Sequence, residues 1–303
     1  MKTTDIYNEI TNAIVKELEN GIVPWQKPWT NQTFMGCVSH TSGRPYSLLN
    51  QWLLKHRSGE WLTFGQIQKE GGRVKAGEKA STVVFWTFVE KIEKHETIEF
   101  TDGEEVVGTE TRDYIKRYPI LKGYKVFHID QCEGIAPRYN NEPVKYEHMP
   151  IEIAEQMVAE YVKREGVKLE IKNTDRAFYC PSMDYVEIPE REQFKCGAEF
   201  YSTLFHELTH STGHAKRLNR EGIAGLHFFG DKDYSKEELV AEIGSAFACQ
   251  IAGIDCAEAF QNSAAYLRGW LRVLKGDKRL IVSAAAQAEK AIDYLMNGAK
   301  NNK

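Results

Sequence analysis

The sequence lacks several features that would assign it to a specialised class of protein. No apolar run approaches the roughly 20 residues that a helix needs to cross a bilayer, so no membrane partner is predicted. The six cysteines form no CxxC pair and show no spacing typical of a disulfide framework, which favours reduced thiols. The first residues form an amphipathic pattern and not an apolar signal segment. These absences together predict a cytoplasmic protein.

An excess of positive charge is absent as well, because the formal net charge is −4. Global electrostatics therefore give no argument for nucleic-acid binding. The 303 residues suffice for one large or two ordinary domains, and no repeat or low-complexity tract divides them. A stretch rich in proline and asparagine predicts a linker at 135–150. We therefore expect an N-terminal domain at 1–134, a second domain at 151–297 and a frayed tail at 298–303.

The most informative feature that is present is an HExxH pattern formed by His206, Glu207 and His210. It lies in the segment 198–212, whose apolar positions recur every four residues, as in an amphipathic helix. Residues four apart lie one above the other on a helix, so the two imidazoles can face one metal ion with Glu207 beside them. A strand is predicted just before this helix, at 183–188, and could be an edge strand that pairs with an extended substrate. The alternative is a pair of solvated or buried histidines at helical spacing.

Two kinds of side chain could supply a third ligand. His214 continues the four-residue series, but the three-histidine pattern HExxHxxGxxH requires a histidine where this chain has Lys216. A second helix, predicted from 236 to 250, carries Glu238 and Glu242 on one side. The sequence Glu238-Leu239-Val240-Ala241-Glu242 resembles the E-x-x-A-[DN] pattern of zincins with a glutamate ligand, apart from its last residue. We expect Glu238 to bind the metal and Glu242 to hydrogen-bond a ligand histidine, although an exchange of these roles stays open. A purely structural alternative is that Glu237 and Glu238 simply favour the helix N-terminus.

This ligand set is typical of a catalytic and not a structural metal site. Structural zinc sites are closed by four ligands, whereas three protein ligands leave one position for water. Zinc (Zn2+) held by His206, His210 and Glu238 would lower the pKa of that water to about 7, and Glu207 would take its proton. Further candidates for stabilising the oxyanion or lining the cleft are His214, His227 and Tyr234. The sequence therefore predicts a zinc metallopeptidase that acts on a peptide or protein.

The N-terminal half is rich in aromatic and basic side chains. Five of the six tryptophans precede residue 87, and the segment 55–79 contains six basic and three acidic residues. Rings that stack on bases, together with cations that follow the phosphates, are typical of proteins that bind single-stranded nucleic acid. The alternative is that these aromatics belong to the core, as most aromatics do. The DNA-binding candidates are Trp25, Lys27, Trp29, Arg44, Tyr46, Trp61, Phe64, Arg73, Lys75 and Lys79.

Several motifs resemble those of a known family. Residues 19–25, 28–29, 43–46, 61–64, 72–79 and 126–131 resemble the N-terminal domain of ArdC-type antirestriction proteins, a domain that also occurs in TraC-type plasmid primases. Residues 201–214, 217–220 and 237–242 resemble the zincin-like peptidase domain of the same proteins. The resemblance implies single-stranded DNA binding by the first domain, a metallopeptidase-like second domain, carriage on a mobile element, and protection of incoming DNA from restriction.

The expected fold class is therefore α+β with two domains. The first is an N-terminal α+β domain of the kind that binds single-stranded DNA, with strands at 81–89 and 123–127 and an acidic hairpin insertion at about 90–113. The second is a zincin-like domain in which a small antiparallel sheet accompanies the helices that carry HExxH. Two other functions stay open: an intracellular metallopeptidase whose first domain binds a protein partner, and a binding protein with a non-catalytic zinc site.

Overall fold

The computed structural model describes residues 3–20, 23–25, 36–55, 57–102, 105–139, 150–224, 232–255 and 264–298. Within these ranges the chain has the expected α+β fold, with helices and small sheets in both halves. None of the described helices combines the length and the apolar character needed to cross a membrane. The candidates Lys27, Trp29 and His227 lie outside the described residues, as does most of the predicted linker.

A four-stranded sheet and a long hairpin dominate the N-terminal half. Its described elements are α1 (Thr3–Glu19), β1 (Cys37–Ser39), α2 (Leu48–Leu53), β2 (Gly59–Thr63), α3 (Phe64–Lys69), β3 (Arg73–Val74), β4 (Ser81–Asp102), β5 (Glu105–His128) and β6 (Cys132–Glu133). The sheet order is β1-β2-β5-β4, and β4 pairs antiparallel with β5 over almost its whole length. The predicted strands at 81–89 and 123–127 are confirmed, and the insertion at 90–113 continues them as one hairpin.

The first helix joins the two halves of the molecule. Its apolar stripe at Ile6, Ile10, Ile14 and Leu18 is buried in a hydrophobic cluster that also contains residues from the last helix. The hydroxyl of Thr11 donates a hydrogen bond to the carbonyl of Lys278 at 2.7 Å. Helix packing of this kind buries a periodic apolar face that would be unstable in water. The two halves therefore share one core, while the predicted linker boundary stays a prediction.

The C-terminal half places a small sheet beside a set of helices. Its described elements are α4 (Pro150–Glu165), β7 (Lys168–Lys172), β8 (Phe178–Cys180), β9 (Tyr185–Pro189), α5 (Gly197–Thr212), α6 (Glu221–Ala224), α7 (Lys232–Ala252), α8 (Ala264–Gly276) and α9 (Leu280–Asn297). The helix predicted at 198–212 is confirmed as α5. Helix α7 begins at Lys232, four residues before the predicted start, so Tyr234 belongs to its first turn.

Two expectations about the small sheet were wrong. The strand order is β7-β9-β8, with β9 parallel to β7 and antiparallel to β8, so the sheet is mixed and not antiparallel. The predicted edge strand is β9, which occupies the centre and bonds to a neighbour on each side. Both Val186 and Ile188 are fully buried, as befits a central strand. Among the described strands of this sheet, β7 and β8 are the ones at an edge, so a substrate strand would add to one of them and not to β9.

Candidate metal centre

The site lies where α5 and α7 pack unusually closely. Gly244 faces Thr209 across the interface, and a Cβ atom at position 244 would lie only 2.6 Å from Cγ2 of Thr209. At the next residue of α7, the hydroxyl of Ser245 donates a hydrogen bond of 2.6 Å to the carbonyl of Ser202. Small and hydroxylated residues at the contact allow the two backbones to approach. This approach brings the start of α7 next to the HExxH face of α5.

Three side chains converge at this junction with the separations of metal ligands. The Nε2 atoms of His206 and His210 are 3.1 Å apart. Glu238 places one carboxylate oxygen 3.6 Å from Nε2 of His206 and the other 3.5 Å from Nε2 of His210. Tetrahedral coordination with bonds of 2.0–2.1 Å requires ligand atoms about 3.3 Å apart. The observed separations therefore fit one small divalent cation, and the two imidazoles and the carboxylate are donors that zinc accepts.

The charge around His206 also favours a cation at this point. Burial by itself lowers the pKa of His206, and the contact with the Glu238 carboxylate opposes that effect. The negative charges of Glu207 and Glu242 add to it and raise the pKa to about 9. Both carboxylates therefore lie close enough to act on the ring. A positive charge is stabilised here, whether it is a proton or a metal ion.

Behind His210, a buried ion pair supports the ring. Oε1 of Glu237 lies 3.2 Å from Nδ1 of His210, on the side of the ring away from Nε2. The Arg220 guanidinium donates two hydrogen bonds to the same carboxylate, at 2.6 and 3.0 Å. Burial raises the pKa of Glu237, but the hydrogen bonds from His210 and Arg220 outweigh it and hold the pKa below its ordinary value. An ionised Glu237 accepts the Nδ1 proton of His210 and leaves Nε2 free to bind a metal.

The end of α5 is shaped to admit that arginine. Gly213 caps the helix with φ −79°, so no left-handed conformation is involved. A Cβ atom at Gly213 would lie 2.9 Å from Cζ of Arg220, which shows that the missing side chain makes room for the guanidinium. Arg220 also donates to the carbonyl of Thr209 and to the hydroxyl of Thr212, each at 2.7 Å. The guanidinium of Arg220 therefore hydrogen-bonds both to the end of helix α5 and to Glu237.

The other predicted site residues are placed less directly. The charge of Glu242 helps to raise the pKa of His206, but Glu242 is not one of the three converging ligand groups. Nδ1 of His214 accepts a hydrogen bond from the backbone N–H of Lys216, and its ring influences the pKa of Asp184. Tyr234 is known only as a helical backbone position. The carboxylate that contacts a ligand histidine on the side away from the metal position belongs to Glu237 and not to Glu242, for which that role was expected.

The candidate DNA-binding residues divide by burial. Trp25 and Trp61 are each only 3% exposed. Trp25 packs against the rings of Trp52 and Trp270 at 6.3 and 6.2 Å, and the indole N–H of Trp61 donates to a backbone carbonyl. Neither ring offers a face on which a base could stack. The remaining described candidates are partly or well exposed: Arg44, Tyr46, Phe64, Arg73, Lys75 and Lys79.

Comparison with known proteins agrees with both halves of this architecture. Residues 155–287 match a family described as a zincin-like metallopeptidase, and residues 4–127 match the N-terminal domain of the anti-restriction factor ArdC. Fold and site thus define a zincin-like metallopeptidase domain preceded by an ArdC-type N-terminal domain. The chain belongs to the ArdC family of antirestriction proteins, and its similarity to a solved ArdC structure and to related sequences supports this assignment.

The relatives differ in how much of their own length this chain spans. The crystal structure of the antirestriction protein ArdC from plasmid R388, in its Mn(II)-bound form, is 34% identical, with a TM-score of 0.68 over 98% of this chain and 99% of that one. The Sinorhizobium fredii protein y4eC is 30% identical over 96% of this chain and 92% of its own length. An Escherichia coli DNA primase TraC is 33% identical over 96% of this chain, which spans only 27% of the primase.

Proposed function

We propose that this protein is an antirestriction protein of a mobile element that binds single-stranded DNA in the cytoplasm and carries a zinc-dependent peptidase centre. The observation that carries the proposal is the convergence of His206, His210 and Glu238 at separations of 3.1 to 3.6 Å. The Mn(II)-bound form of the ArdC structure from R388 supports a divalent cation in this family. The donor set of two imidazoles and one carboxylate supports zinc as that cation here.

The side chains around the centre have separate roles in this proposal. Zinc, when bound there, polarises a water molecule and the substrate carbonyl. Glu207 follows His206 directly on α5, is largely buried, and acts as the general base that takes a proton from water and passes it to the leaving amine. Glu237 holds the proton on Nδ1 of His210, and Arg220 keeps Glu237 ionised. The substrate class is a peptide or protein.

DNA binding is assigned to the N-terminal half. The match of residues 4–127 to the ArdC N-terminal domain supports it, and so does the similarity to TraC primases, which act on DNA by name. Described aromatic side chains in this half are unusually exposed for their size, including Phe64, Phe85 and Tyr124. Phe85 and Tyr124 lie on the sheet, and exposed rings on a sheet are a platform on which unpaired bases can stack.

The test of the metal centre combines metal binding with hydrolysis. Metal-depleted protein is titrated with zinc and then incubated with casein, a disordered protein used here as a general peptidase probe. We expect one zinc ion per chain, and casein hydrolysis that depends on it. Glu207→Gln should retain zinc and lose hydrolysis, whereas His210→Ala should lose both. The proposal fails if the wild-type chain takes up no zinc, or if Glu207→Gln hydrolyses casein at the wild-type rate.

A further inference from the structure

The long hairpin of β4 and β5 has two chemically different faces. Successive side chains of a strand point to opposite faces, so the pairing register assigns each residue to one of them. Phe85 pairs with Lys122, and Lys91 pairs with Lys116. The charged and aromatic side chains on this face are what we call the basic aromatic face: Phe85, Lys91, Lys116, Tyr118, Lys122 and Tyr124.

Two rings of the basic aromatic face, Phe85 and Tyr124, contact each other and stay open to solvent. The centroid of Phe85 lies 5.7 Å from that of Tyr124 and 6.0 Å from that of Tyr46, which packs at the base of the hairpin. Phe85 is 46% exposed and Tyr124 is 43% exposed. Leaving large rings in water lowers stability, because their burial would be favourable. Core packing therefore does not account for the exposed rings of Phe85 and Tyr124.

The charges on this face point to a polyanion. Lys91, Lys116 and Lys122 are exposed, and no aspartate or glutamate occurs among the described side chains of the basic aromatic face. Lys91 lies directly opposite Lys116, and both ammonium groups lie within 6 Å of the Tyr118 ring centroid, at 5.9 and 5.6 Å. A phosphate group lying near this pair would contact two cations at once.

The opposite face of the hairpin is different and serves as an internal comparison. Near the sheet, Val84 and Leu121 are buried in the same hydrophobic cluster as α1. Further out, Trp86 and Phe88 are 46% and 64% exposed. Its outer charges neutralise each other, because Arg117 donates to Glu90 at 2.7 Å. This face therefore has exposed rings without a surplus of cations.

We propose that the basic aromatic face binds one strand of DNA, its rings stacking on bases and its lysines contacting phosphates. The inference rests on the proposed binding of single-stranded DNA and names the surface responsible. An unpaired strand is the occupant because the exposed rings can stack only on bases that are not already paired and stacked. From Phe85 to Lys91 the strand extends roughly 20 Å, enough for several nucleotides. None of the six residues of the basic aromatic face belongs to the candidates suggested by the sequence, although Tyr46, which contacts Phe85, does.

The experiment uses the full-length, zinc-loaded protein and a fluorescein-labelled oligo(dT) of about 20 nucleotides, longer than the 4–16 that one such surface covers. Binding is measured by fluorescence anisotropy at several salt concentrations. The test variant is the double change Phe85→Ala with Tyr124→Ala, and its matched control on the opposite face is Trp86→Ala with Phe88→Ala. The test variant should bind at least tenfold more weakly, since each stacked base contributes roughly a fivefold to hundredfold gain. The control, which removes rings at least as exposed, should bind like wild type.

The lysines supply a second, independent readout. Lys122→Gln should reduce the slope of log K against log salt by about 0.7, the value for one phosphate contact to a single strand, while Arg117→Gln should leave it unchanged. If binding is lost in the Trp86 and Phe88 control but kept in the test variant, DNA binding stands and this face is wrong. The proposal is also overturned if duplex DNA binds as tightly as oligo(dT) and neither the test variant nor its control changes the affinity. If wild type binds no oligo(dT) even at low salt, single-stranded DNA binding itself fails, and this face with it.

Discussion

Nδ1 of His210 lies 3.2 Å from Oε1 of Glu237, and that contact connects the candidate metal centre to the buried pair of Glu237 with Arg220. The adjacent residue, Glu238, points its carboxylate at the Nε2 atoms on the opposite side of the histidines. Two neighbouring glutamates therefore approach His210 from its two sides. One is placed to bind the metal, and the other is placed to orient the ligand.

The role of Glu237 can be tested through zinc affinity. Glu237→Gln keeps an acceptor for the Nδ1 proton but removes the charge that Arg220 stabilises. We expect zinc affinity to fall about 10- to 100-fold, as is usual when a carboxylate behind a ligand histidine is lost. A competition titration with a chromogenic chelator measures this directly. The control is Lys236→Gln, the preceding residue on α7, which should bind zinc like wild type; equal affinities for the two variants would refute the orienting role.

The close contact of α5 with α7 makes a second prediction. Gly244→Ala would place a methyl group against Thr209 at less than van der Waals distance. The helices must separate, so we expect a loss of about 1–3 kcal/mol in unfolding free energy and weaker zinc binding. The control is Gly269→Ala in α8, where a Cβ atom would meet nothing within 4 Å. That change should stabilise the protein by up to about 1 kcal/mol, because alanine favours a helix.

A glutamate outside the metal centre predicts how stability depends on pH. Burial and the nearby charge of Asp293 raise the pKa of Glu289 to about 7 from its ordinary value of 4.5. An acid whose folded pKa is raised stabilises the fold below its unfolded pKa, and this advantage is lost as pH rises from 4.5 to 7. Glu289→Gln should therefore be more stable than wild type above pH 7, by roughly 1–3 kcal/mol, and the difference should shrink toward pH 4. Urea unfolding of both proteins above pH 7 and near pH 4 measures the difference in unfolding free energy. A difference that does not change with pH contradicts the prediction.

Antirestriction and hydrolysis can be separated with one pair of variants. Glu207→Gln removes the proposed general base but leaves the three metal-binding side chains in place. His210→Ala removes a ligand and with it the metal. If peptidase chemistry is required, transfer of unmodified plasmid DNA into a restricting host should lose protection with both variants. Protection that survives Glu207→Gln but not His210→Ala would show that the metal is needed and that hydrolysis is not.

The HExxH helix could be predicted because its information is local. A four-residue spacing places His206 and His210 on one face of any helix, whatever the rest of the fold does. The same holds for the end of α5 before Gly213, although the glycine is required there by the approach of Arg220 and not by a left-handed backbone. Local patterns also predicted the hairpin of β4 and β5.

Features that depend on how elements pack could not be predicted in the same way. Glu237, Glu238 and Glu242 all lie on one helix, and only the angle at which α7 meets α5 decides which faces which histidine. Burial also decides which aromatic side chains are accessible to a ligand, since Trp25 and Trp61 are in the core while Phe85 and Tyr124 remain exposed. Strand β9 is central because it pairs with β7 on one side and with β8 on the other. The pairing with β7 skips β8, the strand between them in the sequence, and no short-range pattern reveals it.

The most direct test of the account is a crystal structure of the zinc-reconstituted protein with anomalous data collected at the zinc edge. The account predicts one strong peak bonded to Nε2 of His206, Nε2 of His210 and a carboxylate oxygen of Glu238, at about 2.0–2.2 Å. Glu237 should remain on Nδ1 of His210 and outside the coordination sphere. A peak bonded to Glu237 or Glu242 in place of Glu238, or no peak between the two histidines, would contradict it.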